Sequence, residues 1–219
     1  MPVYCDESGG VGRGVMTLAG LSISEGVADK VLECFREMTG QSSELKGSRI
    51  ELEERALLFE LLEPGDWHAT VGIAISALTP DQGADRGDHD IAIYSALLDD
   101  VIAAMIVQQG PDCTDVIVDD GRYGAATLAL VRDSVGRLVG PLGTAKLALS
   151  HKLAGLQIAD VIANSFFNRA LVTTRQARMA AIVQPFLNSG KIKLRPLTGH
   201  AKRNDQSREQ GQRDDGESG

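Results

Sequence analysis

Basic charge, membrane-spanning runs, paired cysteines and aromatic side chains are all scarce in this sequence. The 219 residues carry a formal net charge of −8, which argues against a protein that holds nucleic acid through a broadly basic surface. The three cysteines, Cys5, Cys34 and Cys113, are odd in number and widely spaced, so neither a disulfide framework nor a zinc ribbon is predicted. Aromatic residues make up 4% of the chain, too few for a row of base-stacking side chains.

A leader peptide and a membrane segment are also missing from the pattern. Residues 1–8 show no basic and apolar leader, and no run approaches the roughly 18 apolar residues of a membrane span, so a cytoplasmic location is expected. With 43% hydrophobic residues, the chain can bury one sizeable core, and we predict one domain over residues 1–200. Residues 201–219 contain no aliphatic or aromatic side chain larger than alanine, which predicts a disordered polar tail.

Hydrophobic periodicity predicts strands in the first half and strands alternating with helices thereafter. Short runs rich in β-branched or small apolar residues predict strands over 3–5, 15–23, 67–78, 116–118 and 146–150. Apolar residues at helical spacing predict helices over 27–40, 50–62, 88–109, 125–138, 156–171 and 175–187. This order favours an α/β fold in which helices cover a mixed central sheet.

Four acidic residues stand out from this pattern. Asp6 and Asp119 each follow a short apolar strand, and ligands bind at strand ends in open α/β sheets. Asp160 lies in a strongly apolar helix, where burying a carboxylate costs free energy unless a metal or another partner compensates it. Glu44 lies in a polar loop with Lys46, so one loop offers a carboxylate and an ammonium group to a common target.

Each of these residues also has a purely structural interpretation. A strand-end aspartate often caps a turn or a helix, a buried aspartate is usually paired with a basic residue, and a loop glutamate is usually exposed. Asp120 competes with its neighbour Asp119 as the functional residue of their strand. Carboxylates from separate elements are, however, the oxygen ligands that Mg²⁺ and Mn²⁺ prefer.

Four sequence blocks, taken together, resemble the DUF3800 family. They follow one another in that family's order over about residues 3–169: Tyr4–Gly9, Glu44–Gly47, Val116–Asp119 and Leu156–Ala163. The first and last blocks are the specific ones. The resemblance implies a ribonuclease-H-like α/β fold with a mixed central sheet of about five strands, the first acidic residue on the first strand and the last on a late helix.

The same resemblance implies a function for the acidic residues. Asp6, Glu44, Asp119 and Asp160 would be metal-binding catalytic acids, with Lys46 as a phosphate contact, although Glu7 could take the place of Glu44. The expected activity is that of a nuclease dependent on Mg²⁺ or Mn²⁺, which hydrolyses phosphodiester bonds of DNA or RNA. A non-catalytic protein-interaction module with the same fold and a small-substrate metal phosphatase are the alternatives.

Three further motifs favour structural interpretations. The glycines of 9–14 lack the Lys and Ser/Thr of a phosphate-binding loop and lead into a strand, so they predict a flexible hairpin. The pair His151 and Lys152 shows no nucleophile motif and indicates an exposed loop, although it could approach the substrate backbone. The basic residues of 191–195 most simply form a solvated strand or loop face.

Overall fold

The computed structural model describes residues 1–75, 86–110, 115–141 and 143–197. The predicted tail over 201–219 and the last residues of the predicted third strand, 76–78, lie outside the described residues. Within those ranges the chain forms six strands: β1 Val3–Gly10, β2 Val15–Ile23, β3 Trp67–Ile75, β4 Asp115–Asp119, β5 Thr144–Ala148 and β6 Ile192–Pro196. The α-helices there are α1 Glu25–Thr39, α2 Leu52–Leu62, α3 Arg86–Gln109, α4 Ala125–Val139, α5 Ala154–Ala170 and α6 Gln176–Asn188.

The strands form one mixed sheet in the order β5-β4-β1-β2-β3-β6. The neighbours β1, β2 and β3 pair antiparallel, whereas β4 joins β1, β5 joins β4 and β6 joins β3 in parallel. The predicted α/β class, a mixed central sheet covered by helices, is confirmed. The sheet has one strand more than the five expected, because the basic segment at Ile192–Pro196 pairs with β3.

The first strand is longer than its apolar run indicates. The sequence predicts that it ends at Cys5, but β1 continues to Gly10 because its pairing with β2 runs the whole way from Val3 to Gly10. Its parallel pairing with β4, in contrast, covers only Val3 to Cys5. Asp6 therefore lies within the part of β1 that pairs with β2, and one residue beyond the part that pairs with β4. This corrects the prediction that Asp6 follows the end of its strand.

Helices cover both faces of the sheet and bury two hydrophobic clusters. On one face, α3 and α4 pack on side chains such as Val3, Cys5 and Val118. On the other face, α1, α2, α5 and α6 pack on side chains such as Tyr4 and Leu21. No helix in the described ranges is long and apolar enough to cross a membrane.

Helix α5 is deeply buried, since every residue from Ala154 to Phe167 is buried. It packs directly on β1 and β2, and this requires a small residue at the contact. A Cβ atom built on Gly155 would lie 2.4 Å from ring carbons of Tyr4. The glycine therefore lets the helix backbone approach the first strand closely enough to bring its later side chains to the sheet.

We expect Gly155→Ala to lower the free energy of unfolding by about 1–3 kcal/mol, because the added methyl group overpacks the contact with Tyr4. Gly136→Ala is the matched control, since a Cβ atom at this helical glycine would meet only the Cβ atom of Ala145, at 4.0 Å. That change should leave stability unchanged or raise it by up to about 1 kcal/mol. Urea unfolding measures both, and equal stability of the two variants would contradict the close packing.

Candidate functional site

Three of the predicted acidic residues are carried to one place by β1, β4 and α5. The parallel register pairs Cys5 with Val118, so the next residues, Asp6 and Asp119, are neighbours on strands that lie about 4.8 Å apart. Both side chains point to the face covered by α5, from which Asp160 approaches. All three are buried, with exposed fractions of 5%, 9% and 9% for Asp6, Asp119 and Asp160.

The carboxyl group of Asp6 is buried among the charges of three other acidic residues. Burial raises its pKa well above the ordinary value, the charges of Glu7, Asp160 and Asp119 raise it further, and Lys46 opposes the rise. Its Oδ1 accepts a hydrogen bond of 2.7 Å from the backbone N–H of Glu7. Its Oδ2 is buried without a hydrogen-bond partner among the described residues, so one oxygen of this carboxylate stays available for a ligand.

The other two aspartates are fixed by backbone N–H groups. Asp119 accepts from the N–H of Ser150 at 3.0 Å and from that of Gly121 at 3.2 Å. Asp160 accepts from the N–H of Gly47 at 3.1 Å. Burial raises the pKa of Asp160, the Gly47 hydrogen bond and Lys46 lower it, and the charge of Asp119 raises it again.

The loop that carries the Glu44–Gly47 motif is fastened to α5. The N–H of Leu45 donates to Gln157 Oε1 at 2.9 Å, while the N–H of Gly47 donates to Asp160 and its carbonyl accepts from Arg55. A Cβ atom at Gly47 would lie 2.6 Å from that of Asn164. The motif therefore ends in glycine because the loop backbone lies directly against the helix.

Glu44 and Lys46 form a separate group with Ser150 beside the aspartates. Glu44 accepts a hydrogen bond of 2.6 Å from the Ser150 hydroxyl and pairs with Lys46 at 3.1 Å, and the Lys46 ammonium donates to the same hydroxyl at 2.8 Å. Slight burial raises the pKa of Glu44, but these contacts outweigh it and the net shift is downward. Glu44 is thus an ionised, partly exposed carboxylate held by Lys46 and Ser150.

Lys46 connects this group to the aspartates. Burial lowers the pKa of its ammonium group, but the hydrogen bond with Glu44 and the negative charges of Asp160 and Asp6 raise it, and the net shift is upward. The ammonium therefore remains charged at the border between Glu44 and the buried carboxylates. Lys46 is the residue for which the family resemblance implies a phosphate contact.

Glu7, the alternative to Glu44, is buried on the opposite side of β1. Its carboxylate pairs with Arg122 at 3.5 Å, and strand alternation directs it away from the Asp6 side chain. The net pKa of Glu7 is raised to about 7. Burial is the largest cause, Arg122 opposes the rise, and the charges of Asp119 and Asp160 add to it. The negative charges of Asp119 and Asp160 thus act on Glu7, although Glu7 and its ion-pair partner Arg122 lie on the opposite face of the sheet.

Between Asp119 and Asp120, the structure favours Asp119 as the site residue. Asp119 raises the pKa of both Asp6 and Asp160. Asp120 follows the end of β4, and its N–H donates to the carbonyl of Ala148 at 3.1 Å. Strand alternation places its side chain opposite to that of Asp119.

Sequence reasoning missed three residues that build the site. Ser150 joins Glu44, Lys46 and Asp119, but a serine before an exposed His-Lys pair carries no signal of that kind. Gln157 shares a helix face with Asp160, which was the available signal, and its side-chain amide also donates to the Ser150 carbonyl at 3.2 Å. Arg55 lies among the charged residues of α2 and resembles an exposed residue, yet only 3% of it is exposed.

The remaining motifs have structural roles in the described part of the chain. The glycine-rich segment forms the expected hairpin connection, through a 3₁₀ turn at Val11–Arg13. Lys191 donates to the backbone carbonyls of Glu63 and Gly65. Arg195 donates two hydrogen bonds of 2.7 Å to the carboxylate of Asp100, so two cations of the late basic stretch are already engaged.

The described side chains fit the predicted divalent metal in their chemistry but not in a preformed arrangement. Within residues 1–75, 86–110, 115–141 and 143–197, no three or more His, Cys, Asp or Glu side chains are arranged as a ready metal-binding group. The carboxylates nevertheless suit a hard cation chemically, since they are oxygen ligands and one buried oxygen of Asp6 has no hydrogen-bond partner in these ranges. Asp119 accepts one hydrogen bond at each carboxylate oxygen and Asp160 accepts one at Oδ2, so each of these oxygens keeps a lone pair that an ion could use.

No family model and no curated protein matches the chain. Among solved structures, the chain is similar to a chain of the PCNA:RNase HII complex from Archaeoglobus fulgidus, with 15% sequence identity and a TM-score of 0.47, covering 88% of this chain and 89% of that one.

The raised pKa of Glu7 predicts how stability depends on pH. Between about pH 4.3, the ordinary value for an unfolded glutamate, and about pH 7, the folded protein keeps a proton that the unfolded chain has lost. The free energy of unfolding therefore falls as pH rises through this window, and this group changes it no further above the window. Glu7→Gln should reduce that fall by about 1–3 kcal/mol.

Urea unfolding in a metal chelator measures the effect. The two conditions are about pH 5 and about pH 8, which together span most of this window. Glu37→Gln, a change at an exposed carboxylate of α1, is the control and should alter stability by less than about 0.5 kcal/mol at either pH. If Glu7→Gln and the wild type lost the same stability between the two conditions, the burial of an uncharged Glu7 would be wrong.

Proposed function

We propose that this protein is a nuclease dependent on Mg²⁺ or Mn²⁺, in which Asp6, Asp119 and Asp160 hold the metal and nucleic acid is the substrate. The observation that carries the proposal is the convergence of three buried carboxylates from separate elements. Asp119 and Asp160 raise the pKa of Asp6, and Asp119 raises that of Asp160. One of them has an oxygen without a partner in the described chain.

Electrostatics explains why such a group favours a divalent cation. Two like charges about 4 Å apart repel by roughly 4 kcal/mol at an effective dielectric constant of 20, and burial adds to the cost of keeping them ionised. The nearby cations do not remove this cost. Lys46 is paired with Glu44, and Arg55 donates its hydrogen bonds to neutral acceptors.

The residues of the chain would then divide the work of phosphodiester hydrolysis. A bound Mg²⁺ or Mn²⁺ would supply a Lewis acid and activate water near neutral pH. Asp119 is already oriented by Ser150 and Gly121, and Lys46 would contact the phosphate and stabilise the negative charge that develops on it. Glu44, kept ionised by its lowered pKa, would accept a hydrogen bond from the attacking water and orient it.

Asp6→Asn and Asp160→Asn should each reduce Mn²⁺-dependent cleavage of DNA or RNA by more than about 100-fold, since even the residues that support metal ligands contribute 10–100-fold. Asp133→Asn is the control, because this carboxylate is exposed and pairs only with Arg132 among the described residues. Gel assays with labelled substrates measure the rates. Full activity in either of the first two variants would remove the proposal.

The same variants should also be distinguishable without activity. In a chelator, Asp6→Asn should be more stable than the wild type near neutral pH, because it removes a buried charge next to two others. Addition of Mn²⁺ should raise the stability of the wild type and leave that of Asp6→Asn nearly unchanged. Thermal unfolding with and without the ion measures both effects, and equal stabilisation would show that Asp6 is not a ligand.

A non-catalytic interaction module with the same fold is the second candidate. It is favoured by the fact that the described side chains do not form a ready metal-binding group. In that case calorimetric titration with Mn²⁺ would show no saturable binding at millimolar concentration, and the acidic rim would serve a basic partner protein. Saturable binding that Asp160→Asn abolishes would instead favour the nuclease.

A further inference from the structure

A polar cavity adjoins the acidic site and is lined by positively charged side chains. It has a volume of about 150 Å³, and its polar lining comprises Arg13, Ser48, Arg55, Asn164, Asn168 and Arg175. We call it the arginine pocket. It shares Gly47 with the surroundings of the aspartates, since Gly47 lines it and the N–H of Gly47 binds Asp160.

The positive charge of the arginine pocket is not neutralised from within. No acidic residue belongs to its lining in the described part of the chain. Arg175 pairs at 3.6 Å with Glu51, but both side chains are more than half exposed, so the pair is weak and open to exchange. Arg13 lies with its guanidinium 5.9 Å from the centre of the Phe167 ring, which leaves its N–H groups able to bind an anion.

Arg55 supplies the buried part of this charge. Its terminal nitrogens donate to the Val161 carbonyl, the Ser165 hydroxyl, the Gly47 carbonyl and the Asn164 side chain, none of which is charged. Its Nε is buried without a partner among the described residues. Burial lowers the pKa of Arg55 to about 10, with Asp160 opposing the shift and Arg175 adding to it, so the two guanidinium groups repel each other in the absence of an anion.

The size of the cavity limits what it can take. A volume of 150 Å³ corresponds to about five water molecules at roughly 30 Å³ each, well below the roughly 300 Å³ at which pockets for drug-sized ligands begin. A phosphate group fits a cavity of this size. Planar guanidinium groups are also the side chains that match phosphate oxygens best.

We propose that the arginine pocket is a phosphate subsite, which binds a phosphodiester of the same nucleic-acid strand whose nearby linkage lies at the three aspartates. This inference rests on the proposed nuclease function and specifies how that site holds its substrate.

The spacing along α5 supports one strand reaching both places. Asp160 and Asn164 are four residues apart on the helix, a rise of about 6 Å. Each nucleotide of a duplex strand advances by about 3.4 Å along the helix axis and by more along its own backbone, so neighbouring linkages of one strand can reach both places. The acidic site would hold the reacting linkage through metal, and the arginine pocket would hold a neighbouring phosphate directly.

Binding of a short fluorescein-labelled single strand, as DNA and as RNA, tests this by anisotropy with Ca²⁺ in place of a catalytic ion. The double variant Arg13→Ala with Arg175→Ala should bind about tenfold more weakly, as expected for the loss of charged hydrogen bonds. The slope of log K against log salt should decrease in magnitude by about 0.7, the value for one phosphate of a single strand. Arg55 is left in place because it also holds Gly47.

The matched control is Arg132→Ala with Arg178→Ala, which removes the same net charge from two exposed positions outside the pocket lining. It should change affinity less than about twofold and leave the slope unaltered, as surface changes away from an interface do. Equal weakening by both double variants would show only a general charge effect and would overturn the subsite.

Inorganic phosphate separates a strand subsite from a site for a small phosphate. Phosphate could stabilise the wild type through Arg13 and Arg175, while the double variant binds the strand as tightly as the wild type does. In that case the assignment to a strand is wrong. A protein that binds the strand through the two arginines but never cleaves it would keep the subsite and remove the nuclease. A protein that cleaves with unchanged KM after their loss would keep the nuclease and remove the subsite.

Discussion

The burial of α5 against β1 and β2 is the constraint on which the site depends. An apolar helix packed this closely cannot keep Asp160 in water, and the sheet register places Asp6 and Asp119 on the surface that it covers. Gly155 and Gly47 permit the approach of the helix to the first strand and to the loop after α1. The packing of α5 therefore buries the carboxylates together, and this burial causes the pKa shifts of Asp6 and Asp160.

The opposite charges of the acidic site and the arginine pocket are organised by the same short loop. In a chain with a net charge of −8, a diffuse attraction for phosphate is not available, so anion binding has to come from a local arrangement. Arg55 provides the only described buried guanidinium, and it reaches the loop from α2. The proposed division, with metal at the carboxylates and phosphate at the arginines, places compensating charges next to each other instead of spreading them over the surface.

The sequence predicted the fold class and the approach of three aspartates because these depend on strong local signals: apolar strands, an apolar helix and the acidic residues at defined places in them. It did not predict the full length of β1, since the residues after Asp6 form a strand only through pairing with β2. The roles of Ser150 and Arg55 were equally hidden, because both arise from contacts over more than a hundred residues of sequence. Glu44 was grouped with the aspartates from its position in a motif, whereas the structure places it against Lys46 and Ser150.

Gly47, which ends the Glu44–Gly47 motif, has a negative side chain at its N–H and a positive one at its carbonyl. The N–H and the carbonyl belong to two successive peptide groups, so the backbone of this one residue passes between Asp160 and Arg55. Each of the two hydrogen bonds has one charged partner, which makes it stronger than a bond between neutral groups. A residue without a side chain therefore anchors the loop to the acidic site and to the arginine pocket at once.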